Sequence, residues 1–194
     1  RFAVDLAKET VEKLNLGDKV TILDNADGLS GRYKKAKGWY DRSTDKIVIV
    51  IDNHKSPSDV MMTILHEGVA HYGLRKLFGK NFDQFLKNVY DHAAFDIKVE
   101  IADMAARLRA RDRKYGRTIK SNEQYQMDAT EEFLAKLAED TDFERAMNQG
   151  WWQQIKKWFI DMCREVGLPY FEGELNDNEL RYILWRSYQN LAKS

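Results

Sequence analysis

The chain has 194 residues, enough for one domain with a substantial buried core. Its 31 basic and 31 acidic residues cancel, which leaves no electrostatic footprint for nucleic acid, and no apolar run approaches the ~18 residues that a membrane span needs. A lone cysteine, Cys163, excludes an internal disulfide; a small buried hydrophobe in a reducing, cytoplasmic interior is the expected role.

The chain opens on Arg1 rather than methionine, so a fragment of a longer protein is expected. Residues 2–14 read as a helix with Val4, Ala7, Val11 and Leu14 on one side and Gly17 as its stop. Val20–Leu23 reads as a short strand, and residues 25–35 as a charged, turn-rich loop. Gly38–Asp41 and residues 46–51 read as two strands joined by a turn at Ser43-Thr44-Asp45. The second is nearly all apolar, which predicts burial on both faces. Ser56 then has the chemistry of an N-cap, Pro57 fits the first helical position, and Asp59 suits the positive end of a helix dipole.

That helix carries Val60, Met61, Met62, Ile64 and Leu65 into His66-Glu67-Gly68-Val69-Ala70-His71, with Gly73 and Gly79 as punctuation. Residues 82–110 are helical in pattern, through Phe82, Phe85, Leu86, Val89 and Tyr90. Residues 107–120, interrupted by Gly116, read as a solvated connection rather than a nucleic-acid contact. Met127, Phe133, Leu134 and Leu137 mark the apolar face of a further helix that also carries Glu131 and Glu132. Trp151, Trp152, Ile155, Phe159, Met162 and Val166 form a stripe that ends at Gly167 and Pro169. The polar face of this stripe mixes acids with lysines, so it is expected to pack on the domain rather than lie on a membrane. A last helix, about 177–192, packs through Leu180, Leu184, Tyr188 and Leu191. No internal repeat divides the 194 residues, which read as a single domain.

Only four histidines occur, His54, His66, His71 and His92, and two of them flank Glu67 within six residues. The usual zinc-peptidase helix is HExxH, whose histidines share a face. This chain reads HExxxH. At about 100° per residue, positions five apart lie roughly 140° apart on a regular helix and cannot share a metal. A single i→i+5 turn would absorb the extra residue, and Gly68 and Ala70 would ease it. The motif is therefore either a bulged zinc site or an ordinary helix with two unrelated histidines. A third donor is needed for catalytic zinc. Beside an apolar stripe, Glu131 and Glu132 are either solvated first-turn acids or carboxylates with a metal partner. His92 and His54 compete as ligands.

HExxxH followed about sixty residues on by Glu131-Glu132-Phe133-Leu134-Ala135 resembles the HExxGH and EExxAE/D pair of the dipeptidyl peptidase III family. That likeness implies Glu132 as third ligand with His66 and His71, although Ala70 replaces the family's glycine and Lys136 its final acid. The lethal-factor type of zinc peptidase has a tyrosine seven residues before its glutamate, the place of Tyr125. Over most of its length the chain is similar to metallopeptidase domains of phage and conjugative-element polyvalent proteins, with His66 to Arg75 and the later EExxA as the specific segments.

These resemblances imply an α+β, zincin-like fold: a small N-terminal sheet packed on the metal-binding helix, and a mostly helical C-terminal half. They imply a Zn2+ peptidase in which Glu67 is the general base and Tyr125 an oxyanion donor or a structural anchor. Glu131 would orient a histidine, and the strand Gly38–Asp41 would pair with an extended protein or peptide substrate. The alternatives are a toxin with one protein target or a non-catalytic, zincin-like binding module.

Overall fold

β-Branched residues dominate Lys46–Val50 (β3), and this strand is the centre of the only sheet among the described residues, 2–139, 149–168 and 175–192 of a computed structural model. Val20–Leu23 (β1) lies parallel to it with Val20 opposite Ile47, and Gly38–Asp41 (β2) lies antiparallel with Trp39 opposite Val48. The order β1-β3-β2 leaves β2 as an edge strand. Its hairpin to β3 is tied by Asp41, which accepts hydrogen bonds from the Ser43 N–H (3.0 Å) and hydroxyl (2.7 Å). Asp45 closes the turn in the left-handed region at φ 54°, which a short polar side chain tolerates.

Burial of β3 is less complete than its composition predicts. Ile47, Ile49 and Val50 are buried but Val48 is only half-buried, and Ile51 leaves the strand to open a short 3₁₀ turn. The well-covered face lies over helix α2, Pro57–Tyr72. There the sheet and helix approach so closely that a side chain at Gly38 would meet Ile49 and Thr63 at 3.0–3.1 Å. Ser56 caps α2 as its chemistry predicts, its hydroxyl accepting from the Asp59 N–H at 3.1 Å with Pro57 next in line. Ser56→Ala is expected to cost about 1 kcal/mol, read as a lower urea midpoint at unchanged slope.

Phe2–Lys13 (α1) packs on α2. It ends at Lys13, and Asn15 then turns the chain left-handed at φ 57°, two residues before the predicted glycine stop. After α2 come Leu74–Phe78 (α3), Lys80–Asp91 (α4), Phe95–Lys114 (α5), Asn122–Glu139 (α6), Gln149–Glu165 (α7) and Asp177–Ala192 (α8). α5 continues to Lys114, through half of the segment expected to be a solvated connection. The Trp-rich α7 is part of the core, with Trp151, Trp152, Ile155, Phe159 and Met162 all buried and Phe159 edge-on to Phe85 at 5.7 Å. Cys163 is buried beside them, and burial alone pushes its thiol up to about 12. Pro169 and the side chain of Leu191 lie outside the described residues. One contiguous core runs from Val4 in α1 to Leu184 in α8, and no described helix is long and apolar enough to cross a membrane.

For the site, the decisive feature is the position of α8. It packs along α2 on one side and along α6 on another, while α2 and α6 touch little. The Ser187 hydroxyl accepts the Leu74 N–H at 3.0 Å, and Arg181 donates to the Ala138 carbonyl at 3.1 Å. α8 is thus wedged between the two helices expected to share a metal.

Candidate metal centre

α2 is a regular α-helix through the motif. The wide i→i+5 bond described in it runs from the Gly73 N–H to the Gly68 carbonyl (3.2 Å), shared with the ordinary Val69 carbonyl (3.0 Å) where Gly73, at φ 83°, ends the helix. His66 and His71 accordingly face different neighbours, as five-residue spacing on a straight helix demands. His66 faces α8, where its ring packs on Tyr182 at 5.1 Å and its Nε2 lies 2.5 Å from Glu179 Oε2. This Nε2 is buried and has no hydrogen-bond partner besides that ion-pair contact. His71 faces the sheet edge, stacked on Tyr40 of β2 at 4.2 Å and 12°, with its Nε2 3.4 Å from Glu67 Oε2 one turn back. Tyr40 is held in turn by Asp45, and the Tyr72 hydroxyl donates to the Asp45 carbonyl at 3.0 Å. Edge strand, hairpin and helix end are thereby fixed together.

The expected third ligand sits elsewhere. Glu132 pairs with Lys136 at 3.2 Å, one helical turn on, and lines a polar cavity with Arg111, Asp112, Tyr125 and Tyr188. Burial first, then the Glu132 carboxylate, raises the Tyr188 phenol above its ordinary range. Glu131 is buried and faces Arg75 at 3.4 Å rather than a histidine. Burial pushes it up to about 7, with the Arg75 charge opposing. Arg75 also holds Asp83 and Asp128, each at 2.9 Å, which locks α3, α4 and α6 together.

Tyr125 is an anchor in this arrangement. It is buried, its hydroxyl donates to Asp112 Oδ2 at 2.8 Å, and it accepts the Lys120 N–H at 3.2 Å, which leaves no proton for a substrate oxyanion. His54 engages the Val50 carbonyl (2.8 Å) and Thr63 hydroxyl (2.9 Å) through its two ring nitrogens. Exposed His92 closes the end of α4 through the Asn88 carbonyl at 2.9 Å. Neither joins the motif.

The donor set His66, His71 and Glu132 therefore does not converge, and among the described residues no group of three or more His, Cys, Asp or Glu side chains could hold a metal as arranged. Comparison with protein families, curated proteins and solved structures finds no match in any of the three. What the fold brings together is two histidine–carboxylate pairs on successive turns of α2: His66 with Glu179, and His71 with Glu67. Glu179 escaped the sequence reading because its local signal is that of an ordinary first-turn acid. Asn176 caps its helix by accepting the Glu179 N–H at 2.8 Å, and Asp177 precedes it in the same turn.

Proposed function

We propose that this domain is a zinc-dependent peptidase of zincin-like build. The observation that carries the reading is the His66-Glu67 helix under an open sheet edge, with His71 stacked on Tyr40 of that edge strand. His66 is the ring nearest to a metal donor: its buried Nε2 has no hydrogen-bond partner, only the Glu179 carboxylate 2.5 Å away. His71 fits only once the last turns of α2 rotate it toward His66; the Gly73 N–H already shares its bond with the Gly68 carbonyl, so widening starts from an existing contact. Glu132 does not fit without displacement of α8.

When bound, zinc would supply a water acidified to about 7 and a Lewis acid for a substrate carbonyl. Glu67, adjacent to His66, would take the proton of that water and deliver it to the leaving amine. The free edge of β2 would hold an extended peptide by main-chain hydrogen bonds, with Tyr40 below it. The reading is tested by metal analysis of the purified chain together with a mixed-peptide cleavage assay. About one zinc per chain and cleavage abolished by chelator are expected; no zinc after supplementation and no cleavage overturn it.

The divergence of His66 and His71 favours a second reading, a non-catalytic protein-binding module of the same build. It predicts a chain that melts at the same temperature with and without added zinc.

A further inference from the structure

We propose that the C-terminal end of α5 and the turn after it bind single-stranded nucleic acid, independently of the zinc reading above. The zero net charge of the chain conceals a segregation. Residues 107–120 hold seven basic residues and one acidic residue, so this segment carries +6 and the rest of the chain −6. α5 runs on to Lys114, so these charges ride on a helix end rather than on a solvated connection. A helix C-terminus accounts for the cations of its last turn, Arg111, Arg113 and Lys114. It does not account for Arg107 a turn earlier, or for Arg117 and Lys120 beyond the end. The carboxylates of the region go to Arg107, Arg117 and Lys120, and among the described residues none pairs with Arg111, Arg113 or Lys114.

Depth sorts the charges of this face by sign. The side chains of Arg117, Lys120 and Lys136 are 50–57% exposed, whereas those of their partners Asp112, Asp128 and Glu132 are 12–16% exposed. The acids lie within the cavity between α5, α6 and α8 and the cations stand outside them, so a polyanion meets positive charge first. Beside them Tyr115 is 62% exposed, with the Lys114 ammonium 5.7 Å and the Arg117 guanidinium 5.3 Å from its ring centre. Gly116, at φ 67°, and the Arg117 N–H bonded to the Asp112 carbonyl at 2.8 Å hold that ring at the helix end. An exposed aromatic flanked by cations suits a single strand: the ring stacks on an unpaired base and the cations take the neighbouring phosphates. An acidic peptide would use the charges and leave Tyr115 without a role. A membrane would need a broad apolar face, and the exposed large apolar side chains of this segment are Tyr115 and Ile119.

The test is fluorescence anisotropy on the whole chain with labelled oligo-dT, oligo-rU and a duplex of the same length, from about 50 to about 200 mM salt. The single strands are expected to bind more tightly than the duplex, and the tighter of the two names the strand as DNA or RNA. Log K should fall against log salt with a slope of about −2 or steeper, which is ~0.7 for each of at least three phosphates. Arg111→Gln with Arg113→Gln removes no ion pair and should flatten that slope by about 1. Tyr115→Ala should weaken single-strand binding about 5–100-fold, and Tyr115→Trp should restore it. Lys34→Gln with Lys35→Gln removes as much charge elsewhere on the surface and should bind like the parent. Thermal melts of all the chains separate lost binding from lost folding. No binding at low salt, equal binding by every variant, or duplex binding as tight as single-strand binding and indifferent to Tyr115 would overturn the proposal. Tighter binding to polyglutamate or to phosphatidylserine vesicles would overturn it too, and would assign the face to an acidic protein or to a membrane.

Discussion

Glu67→Gln is expected to lower peptide hydrolysis about 10²–10⁴-fold while zinc content and melting temperature stay near those of the parent. Glutamine keeps the shape and the hydrogen-bonding reach of the side chain but cannot accept a proton at neutral pH. The position suits this experiment. Glu67 is half-buried on α2 between the two histidines, and its carboxylate reaches His71 Nε2 at 3.4 Å without any lysine or arginine partner among the described residues. The pairing removed with the charge is the one to His71. Loss of hydrolysis with folding and zinc unchanged assigns the proton-transfer role to Glu67. Undiminished hydrolysis would remove Glu67 from the chemistry and, with it, the reason to read HExxxH as a peptidase motif. A parallel loss of zinc would mean that Glu67 holds the ion or its ligand His71 rather than the proton.

The ends of the sheet and the start of α2 were legible because their signals are local. Val20–Leu23 and Gly38–Asp41 have the predicted limits, and Ser56-Pro57-Ser58-Asp59 carries its cap chemistry in four consecutive residues. The extra residue in HExxxH left two outcomes open, and the expected zinc site needed the widened turn; α2 instead runs as a regular helix through the motif, so His66 and His71 meet different neighbours. Helix order was not legible. Nothing near Glu132 in sequence tells that α8 comes between α6 and α2, and nothing near Glu179 tells that it meets His66 from 113 residues away. α5 was cut short for a different reason. Its final turns are charged on nearly every side, so no apolar period marks them, although pairs such as Asp103 with Arg107 at 2.8 Å support the helix. Arg75, at the tail of the motif, has no local signal of its role, yet it gathers acids from two helices, Asp83 of α4 and Asp128 and the buried Glu131 of α6.

Arg75→Ala is accordingly expected to be the most destabilising single change outside the apolar core. Removing one partner of a buried ion pair leaves the other uncompensated, at a cost of about 3–5 kcal/mol. The loss should depend on pH in a direction fixed by Glu131. Its carboxyl is pushed up from 4.5 to about 7 because burial outweighs the Arg75 charge. A carboxyl raised in the folded state contributes stability that is fully present below about 4.5 and is lost as pH rises through about 7. In the parent, Glu131 alone therefore lowers stability by about 3 kcal/mol between pH 4.5 and pH 8. Without Arg75 the carboxyl holds its proton to still higher pH, so the variant escapes most of the charge penalty at pH 5 and bears it at pH 8. Asp128 limits the remaining loss, since it keeps Lys120 at 3.0 Å and Gln124 at 2.8 Å. Urea denaturation at pH 5 and pH 8 measures the difference, and Glu131→Gln in the Arg75→Ala background should recover stability mainly at pH 8. Equal losses at both pH values would mean that Arg75 acts through packing on Phe82, 5.5 Å from its guanidinium, rather than by neutralising Glu131.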